Sequence, residues 1–212
     1  MKHVIIVGGG VSAWCAANAF SANDISVTVI FKNKKVFGAQ QISPNGMKAL
    51  INITGDKKIQ DKIHKISQIK INLIKNSNLK TLSNFDLSKK FPFYGSISRQ
   101  ILLNTLKKSA LNNKNVKIIN DEVKHILKVD DGVTQVLTST GKSIKSNVII
   151  GADGVNGICR KFVCGNEKLI CKNIFRSTST NKTQYLLTKN LLQIFLTKHG
   201  HYVVYPFKSE KQ

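Results

Sequence analysis

Arginine is nearly missing from this chain. Its 212 residues carry 33 lysines and arginines against 11 acids, a formal charge of +22, yet the only arginines are Arg99, Arg160 and Arg176. A field of that sign attracts polyanions, but the lysines are scattered among Asn and Ile, with no sustained basic block and no interleaved aromatics. That pattern argues against a nucleic-acid interface. Cysteine is sparse as well. Cys15, Cys159, Cys164 and Cys171 form no C-x-x-C pair and have no His at zinc spacing, so neither a metal site nor a disulfide framework is indicated and reduced thiols are expected. No apolar run is long enough to span a bilayer, and no cleavable signal precedes the first one, so the expected compartment is cytoplasmic. Internal repeats and a Pro/Gly/Ser linker are also missing. What remains is a globular chain whose 42% hydrophobic residues can supply a core.

The richest stretch is residues 4–17. An apolar run of strand length, Val4-Ile5-Ile6-Val7, breaks at Gly8-Gly9-Gly10 and continues through Val11, Ser12 and Ala13 into an Ala-rich segment with helical spacing. A strand, a phosphate-cradling turn and a helix follow from that order. Gly8 permits the tight turn, Gly10 lets a backbone approach a pyrophosphate, and Ala13 is small enough for helix to pack on strand. The anion then sits on the helix N-terminus, where unpaired N–H groups and the dipole favour it. Residues 26–31 supply the second strand of a β-α-β unit. The acid expected about 20 residues on, to hold the ribose hydroxyls, is replaced by Phe31-Lys32. Weakened or differently arranged ribose contacts are expected, with Lys32 read as a solvated strand-end lysine rather than a phosphate ligand.

Further along, residues 38–46 read as a turn-rich loop, followed by a helix from near Met47. Alternation over residues 66–87 with Asn76-Ser77-Asn78 as turn predicts a hairpin, and Ser98 caps a helix over residues 99–111. Short strands are expected at 116–119, 123–129, 133–138 and 148–150, with turns at Asp130-Asp131-Gly132 and Thr140-Gly141-Lys142. Strands return over residues 185–207, where 191–196 and 202–205 flank a turn at Lys198-His199-Gly200.

Four ordered motifs together resemble the FAD-dependent aromatic monooxygenases, the group of para-hydroxybenzoate, salicylate and ubiquinone-pathway hydroxylases. They are residues 8–13, residues 41–50, residues 97–102 around Arg99, and residues 151–160, a D-G motif containing Asp153, Gly154 and Arg160. The resemblance implies an α/β fold: a Rossmann-type FAD-binding domain, mostly parallel sheet with helices, over residues 1–66 and 97–165. An antiparallel substrate-domain sheet, residues 67–96 and 166–212, would be interleaved with it. It covers nearly all of this chain but only the first part of a full enzyme, so a C-terminal truncation is expected.

The cofactor-binding residues implied are Gly8, Gly10, Val11, Ser12, Ala13, Phe31, Lys32, Arg99, Val123, Asp153, Gly154 and Arg160. Arg99 would offer a charge-assisted fork to FAD oxygens. Asp153 would accept from ribose or ribityl hydroxyls or fix its loop. Val123 matches a position whose main chain meets the adenine, although read unaided it is core. The implied activity is hydroxylation of a small aromatic (phenolic) substrate with O2, through a flavin hydroperoxide, with NADH or NADPH as co-substrate. No catalytic side chain is singled out. His199, His201, Tyr202 and Tyr205 are substrate-side candidates for which packing is the simpler reading. Three alternatives stand beside it: a flavin-dependent halogenase, suggested by Trp14 after the small residue; a non-catalytic FAD-binding fragment or half of a split enzyme, completed by a C-terminal chain or a second copy; and an NAD-binding reductase without flavin.

Overall fold

Four apolar residues with β-branched side chains, Val4 to Val7, follow His3 in the first strand, and its two neighbours in the sheet are also largely apolar runs. The computed structural model describes residues 2–88, 93–129, 132–165, 174–178 and 190–208. In chain order these form β1 (His3–Val7), α1 (Val11–Ser21), β2 (Ser26–Phe31), β3 (Ala39–Ile42), α2 (Pro44–Thr54), a 3-10 turn (Lys57–Lys62), β4 (His64–Lys65), β5 (Gln68–Lys75), β6 (Asn78–Asp86) and β7 (Gly95–Ser98). Then come α3 (Arg99–Leu111), β8 (Val116–Asn120), β9 (Val123–Lys128), β10 (Thr134–Thr138), β11 (Ser143–Ser146), β12 (Val148–Gly151), α4 (Ile158–Cys164), β13 (Leu191–Thr197) and β14 (Gly200–Val204). Cys171, Asp130, Asp131 and residues 185–189 of the expected strand region lie outside the described residues.

The chain divides into two compact units, residues 1–35 with 102–174 and residues 36–101 with 175–212. By packing, residues 36–66 and 97–101 go with the second unit, whereas the motif order of the sequence groups them with the nucleotide-binding segments. The reason is pairing: β3 and β4 both bond to β7, which precedes Arg99.

Unit 1 holds a four-stranded parallel sheet in the order β12-β1-β2-β8. Parallel strands joined by crossovers are covered on both faces and so are apolar on both. Ile5 and Val7 of β1 and Ile30 of β2 join Val123, Ile126 and Val136 of the antiparallel β11-β10-β9 meander and Cys159 of α4 in one buried cluster. The alternate residues Val4, Ile6, Val27 and Val29 are equally buried, and α1 packs on β1 and β2. Buried Asn18 staples α1 to α3, its Nδ2 donating to Trp14 O (2.7 Å) and to Leu106 O (2.9 Å).

Unit 2 holds a sheet in the order β14-β13-β5-β6, two antiparallel hairpins joined by a parallel β13–β5 pair. It also holds a small antiparallel sheet, β3-β7-β4. The Asn76-Ser77 turn takes φ of +50° and +62°, the left-handed pair that a two-residue hairpin demands. The expected loop at 38–46 instead contains β3, because Ala39–Ile42 finds a partner in β7. Helix α2 starts at Pro44, three residues before the apolar periodicity, because Ser43 accepts from Gly46 N–H and Pro44 opens the first turn.

Candidate functional site

The two glycine-bearing motifs of unit 1 meet. Gly8 has φ +122°, and a Cβ there would lie 2.1 Å from Ala152 O, while Ala152 N–H donates to Val7 O at 2.8 Å. Gly8 is therefore required by the 151–154 loop pressed against it as much as by the turn itself. Gly10 behaves oppositely. Its backbone is extended, and a Cβ added to it meets nothing within 4 Å. It is also the N-cap of α1, without a side-chain cap and without an acid in the first turn. An eleven-residue helix thus presents its N-terminal amides, at Val11, Ser12 and Ala13, beside an open glycine face, the arrangement that takes a phosphate. Ala13 is fully buried, as close helix–strand packing requires.

A cavity of about 540 Å³ begins here. Its lining includes Ser12, Gly151, Asp153, Gly154 and Arg160, with Ile126 and Ile149 supplying apolar wall. It brings the α1 turn and the D-G motif to one place. Asp153 is engaged within the protein: its Oδ2 accepts from Cys159 N–H at 3.1 Å, and a Cβ on Gly157 would fall 2.1 Å from its Cγ. The carboxylate caps α4, whose own N-cap, Gly157, has no side chain to do so. Loop fixation is thus the observed role of Asp153. Gly154, at φ +89°, accepts from Gly157 N–H to close the turn. The Cys159 thiol is pushed up to about 12 by burial and by the neighbouring Asp153, which keeps it protonated and inert.

At the far end of β2, Phe31 lies against the glycine turn, so that a Cβ on Gly9 would sit 2.4 Å from its ring. Trp14 meets that ring edge-on at 5.4 Å and donates its indole N–H to Gly9 O at 3.1 Å. Lys32 is exposed. Val123 is a buried member of the core cluster.

Two acids lie near the end of β2, and both are committed. Asp121, whose N–H donates to Phe31 O, is held well below the usual carboxylate range by the Ser139, Thr138 and Thr140 hydroxyls and the Glu122 N–H. Glu122 pairs with Lys124 at 3.0 Å, and Lys124, then Lys32 and Lys34, lower its pKa.

Arg99 belongs to unit 2. It opens α3, its N–H donates to Gly38 O at 3.0 Å, and its Nε is buried without a hydrogen-bond partner. An orphaned, buried guanidinium nitrogen fits an anionic ligand group. Alongside on β3, Tyr94 Oη donates to Gln41 Oε1 (2.7 Å) and Tyr205 Oη to Ala39 O (3.0 Å). Burial and then Tyr205 raise the pKa of Tyr94. Tyr94 was not singled out from the sequence, because its neighbours become adjacent only through the β3–β7 pairing. His199, His201 and Tyr202 are exposed. Among the described residues no group of three His, Cys, Asp or Glu side chains could hold a metal ion, and no helix is long and apolar enough to cross a membrane.

The family described as glucose inhibited division protein A matches residues 3–200. The FAD-dependent monooxygenase paxM of Penicillium paxilli is 26% identical over 164 residues, 75% of this chain and 34% of that protein. The FAD-dependent monooxygenase janM of Penicillium janthinellum is 25% identical over 177 residues, 81% of this chain and 37% of that protein. Among solved structures, Klebsiella pneumoniae HpxO, complexed with FAD and uric acid, superposes with a TM-score of 0.73 at 17% identity, over 98% of this chain and 54% of its own. The chain spans roughly a third of the length of the curated relatives it matches.

Proposed function

We infer, from the premise that the chain belongs to the glucose inhibited division protein A family, that it is a FAD-binding oxidoreductase chain whose unit 1 takes the adenine-dinucleotide part of FAD. The activity proposed is NAD(P)H-dependent monooxygenation of a small aromatic substrate by O2. One observation carries the reading: of the two glycines flanking the turn, Gly8 is filled in by the 151–154 loop, while Gly10 faces open space at the N-terminus of α1. Bound FAD would supply the redox chemistry with oxygen. The protein's own share is binding and orientation. The first-turn amides of α1 receive a pyrophosphate, Gly10 leaves room for it, and the loop at Asp153 and Gly154 is held rigid by the α4 cap. The orphaned Nε of Arg99 is assigned to an anionic oxygen of the cofactor. A hydrophobic lining such as that given by Ile126 and Ile149 excludes water.

Trp14, on which a halogenase reading rests, is 1% exposed and spent on Gly9 and Phe31, so it lends that reading no support. A second reading stands beside it, for a chain that spans 34% of paxM and 54% of HpxO. In it the chain binds FAD and works with a complementing chain or a second copy of itself.

Flavin binding tests both. The purified 212-residue protein is titrated with FAD and the quenching of flavin fluorescence followed. Stoichiometric binding is expected, weakened at least about tenfold in Gly10→Val and in Arg99→Ala, both of which still unfold cooperatively. A folded protein that leaves FAD fluorescence untouched sinks the proposal. FAD binding without NAD(P)H oxidation in the presence of phenols selects the second reading.

A further inference from the structure

Two hairpin turns of unit 2 leave its larger sheet at the same end. β13 and β5 run parallel with Leu196 opposite Leu73, so the turn after β5 at Asn76-Ser77 lies on the same side as the turn after β13 at Lys198-His199. Lys75 closes β5, Lys80 stands on β6 and Lys198 lies in the second turn, each of them exposed. No acid occurs from residue 62 to residue 85 or from residue 190 to residue 208. Asp86, the acid that ends β6, is opposite Gln68, about 25 Å along the strand from the turn. The same tip displays large apolar side chains. Ile74 is exposed together with its cross-strand partner Leu79, at 62%, and Tyr202 of β14 is 65% exposed. Phe195 is opposite both Tyr202 and Asn72, and side chains two apart on a strand share a face. Ile74, Leu79 and Tyr202 therefore stand on one face of the sheet, and neither the core nor the flavin reading uses them.

Scattered lysines are a solvated surface, and a single exposed leucine is ordinary. Their coincidence on one tip, without an acid, fits a ligand that is negative at its surface and apolar just beneath. A bilayer containing anionic lipid has that layering. Headgroups meet the ammonium groups, aliphatic side chains reach the acyl boundary, and a tyrosine keeps its ring in the apolar layer and its hydroxyl in water. A soluble anion would satisfy the lysines and offer the apolar side chains nothing. We propose that the paired hairpin tips of unit 2 dock the chain on an anionic lipid surface. Lys75, Lys80 and Lys198 meet the headgroups, and Ile74, Leu79 and Tyr202 enter the interface. The docking is peripheral, since no described helix is long and apolar enough to cross a membrane. It goes beyond the flavin reading and does not depend on it, because the tip shares no residue with the α1 turn, the D-G loop or Arg99.

The test is flotation of the purified full chain with phosphatidylcholine vesicles, with and without phosphatidylserine, at about 0.15 M salt. Binding is expected only where phosphatidylserine is present, and it should fall as salt rises. Lys75→Gln, Lys80→Gln and Lys198→Gln should each weaken it about fivefold. Lys117→Gln and Lys145→Gln, at exposed positions of unit 1, remove the same charge from the +22 chain and should leave it nearly unchanged. Leu79→Gln should weaken binding with every lysine in place. In Leu79→Trp the emission should shift to the blue on phosphatidylserine vesicles, over the constant background of buried Trp14. Equal losses in the unit 1 controls, or a Leu79→Trp emission that the vesicles leave unchanged, would overturn the inference in favour of a general field. A chain that binds no vesicle would overturn it as well, and self-association abolished by Leu79→Gln would then give the tip to a second copy. FAD titration of the same variants should match the parent, so either property can fail while the other stands.

Discussion

Unit 1 and unit 2 solve the problem of a sheet in different ways. The parallel sheet of unit 1 is apolar on both faces, and Ile5, Ile6, Val27 and Val29 are each at most 0% exposed. The outer hairpin of unit 2 leaves Leu79, Leu82 and Phe85 at 62%, 47% and 50% exposure. Crossover connections place helices or a meander over both faces of a parallel sheet, whereas a hairpin closes on itself and covers neither. The first arrangement leaves little freedom at its turns, and the second leaves its edge open. Substitutions in the two units should differ accordingly.

The largest difference is expected within unit 1 itself, between two glycines two residues apart. Gly8→Val places a Cβ 2.1 Å from a backbone oxygen at φ +122°. Backbone strain and overpacking together cost on the order of 2–6 kcal/mol, enough to abolish cooperative thermal unfolding. Gly10→Ala adds a methyl facing open space on an extended backbone. It costs about 1 kcal/mol or less through the weaker cap, while FAD affinity falls. Circular-dichroism melts and flavin titration of the pair separate a glycine that the fold needs from one that the ligand needs. Equal destabilisation of both would erase the distinction.

That distinction was only half visible in the sequence. β1, α1 and β2 were legible because each strand is a continuous apolar run and the glycines between them have one economical use. The D-G motif was legible as a site, but the capping of α4 by Asp153 was not, since it depends on Gly157 having no side chain and on the loop folding back. β3 and β7 escaped notice for a different reason. Ala39–Ile42 and Gly95–Ser98 are four residues each, with glutamines or serines where alternation is sought. They are strands because they pair with each other, which is a tertiary fact. The contact of Phe31 with Trp14 joins residues distant in the chain, and no local pattern announces it.

A smaller effect is expected at the corner of β8 and β9, and it is pH-dependent. Asp121 is 5% exposed and its carboxylate is stabilised first by Ser139, then by Thr138 and Thr140. Its folded pKa lies below the unfolded value, so the unfolded chain binds the proton more readily. The stabilisation is complete above the ordinary carboxylate pKa of about 4 and is lost as pH falls through the folded value. The denaturation midpoint of Asp121→Asn should therefore lie below that of the parent at neutral pH, and the gap should narrow in acid. A gap constant between pH 7 and pH 3 would show that the lost hydrogen-bond geometry, rather than the charge, is what Asp121 contributes.

The smallest change in stability, with a visible change in behaviour, belongs to β6. Among the described residues it pairs only with β5, so its outer backbone groups form an open edge. The pairing slips where Ile71 faces Ser83 and Asn72 faces Thr81, which leaves Leu82 as the extra residue of a bulge, a device that twists an edge away from partners. Lys80 adds a charge on the same strand. Leu79 works against both, a large apolar side chain 62% exposed beside the hairpin turn. Leu79→Lys removes no buried contact of consequence, so the melting free energy should change by less than about 0.5 kcal/mol. Light scattering at high protein concentration should nevertheless fall, because the apolar edge is what a second copy would join. The matching substitution in unit 1, Ile6→Lys, buries a charge in a sheet closed on both faces and should prevent folding outright. If Leu79→Lys instead lowers the melting temperature markedly, the β6 face is covered in solution, and the contrast between a closed sheet and an open one does not hold.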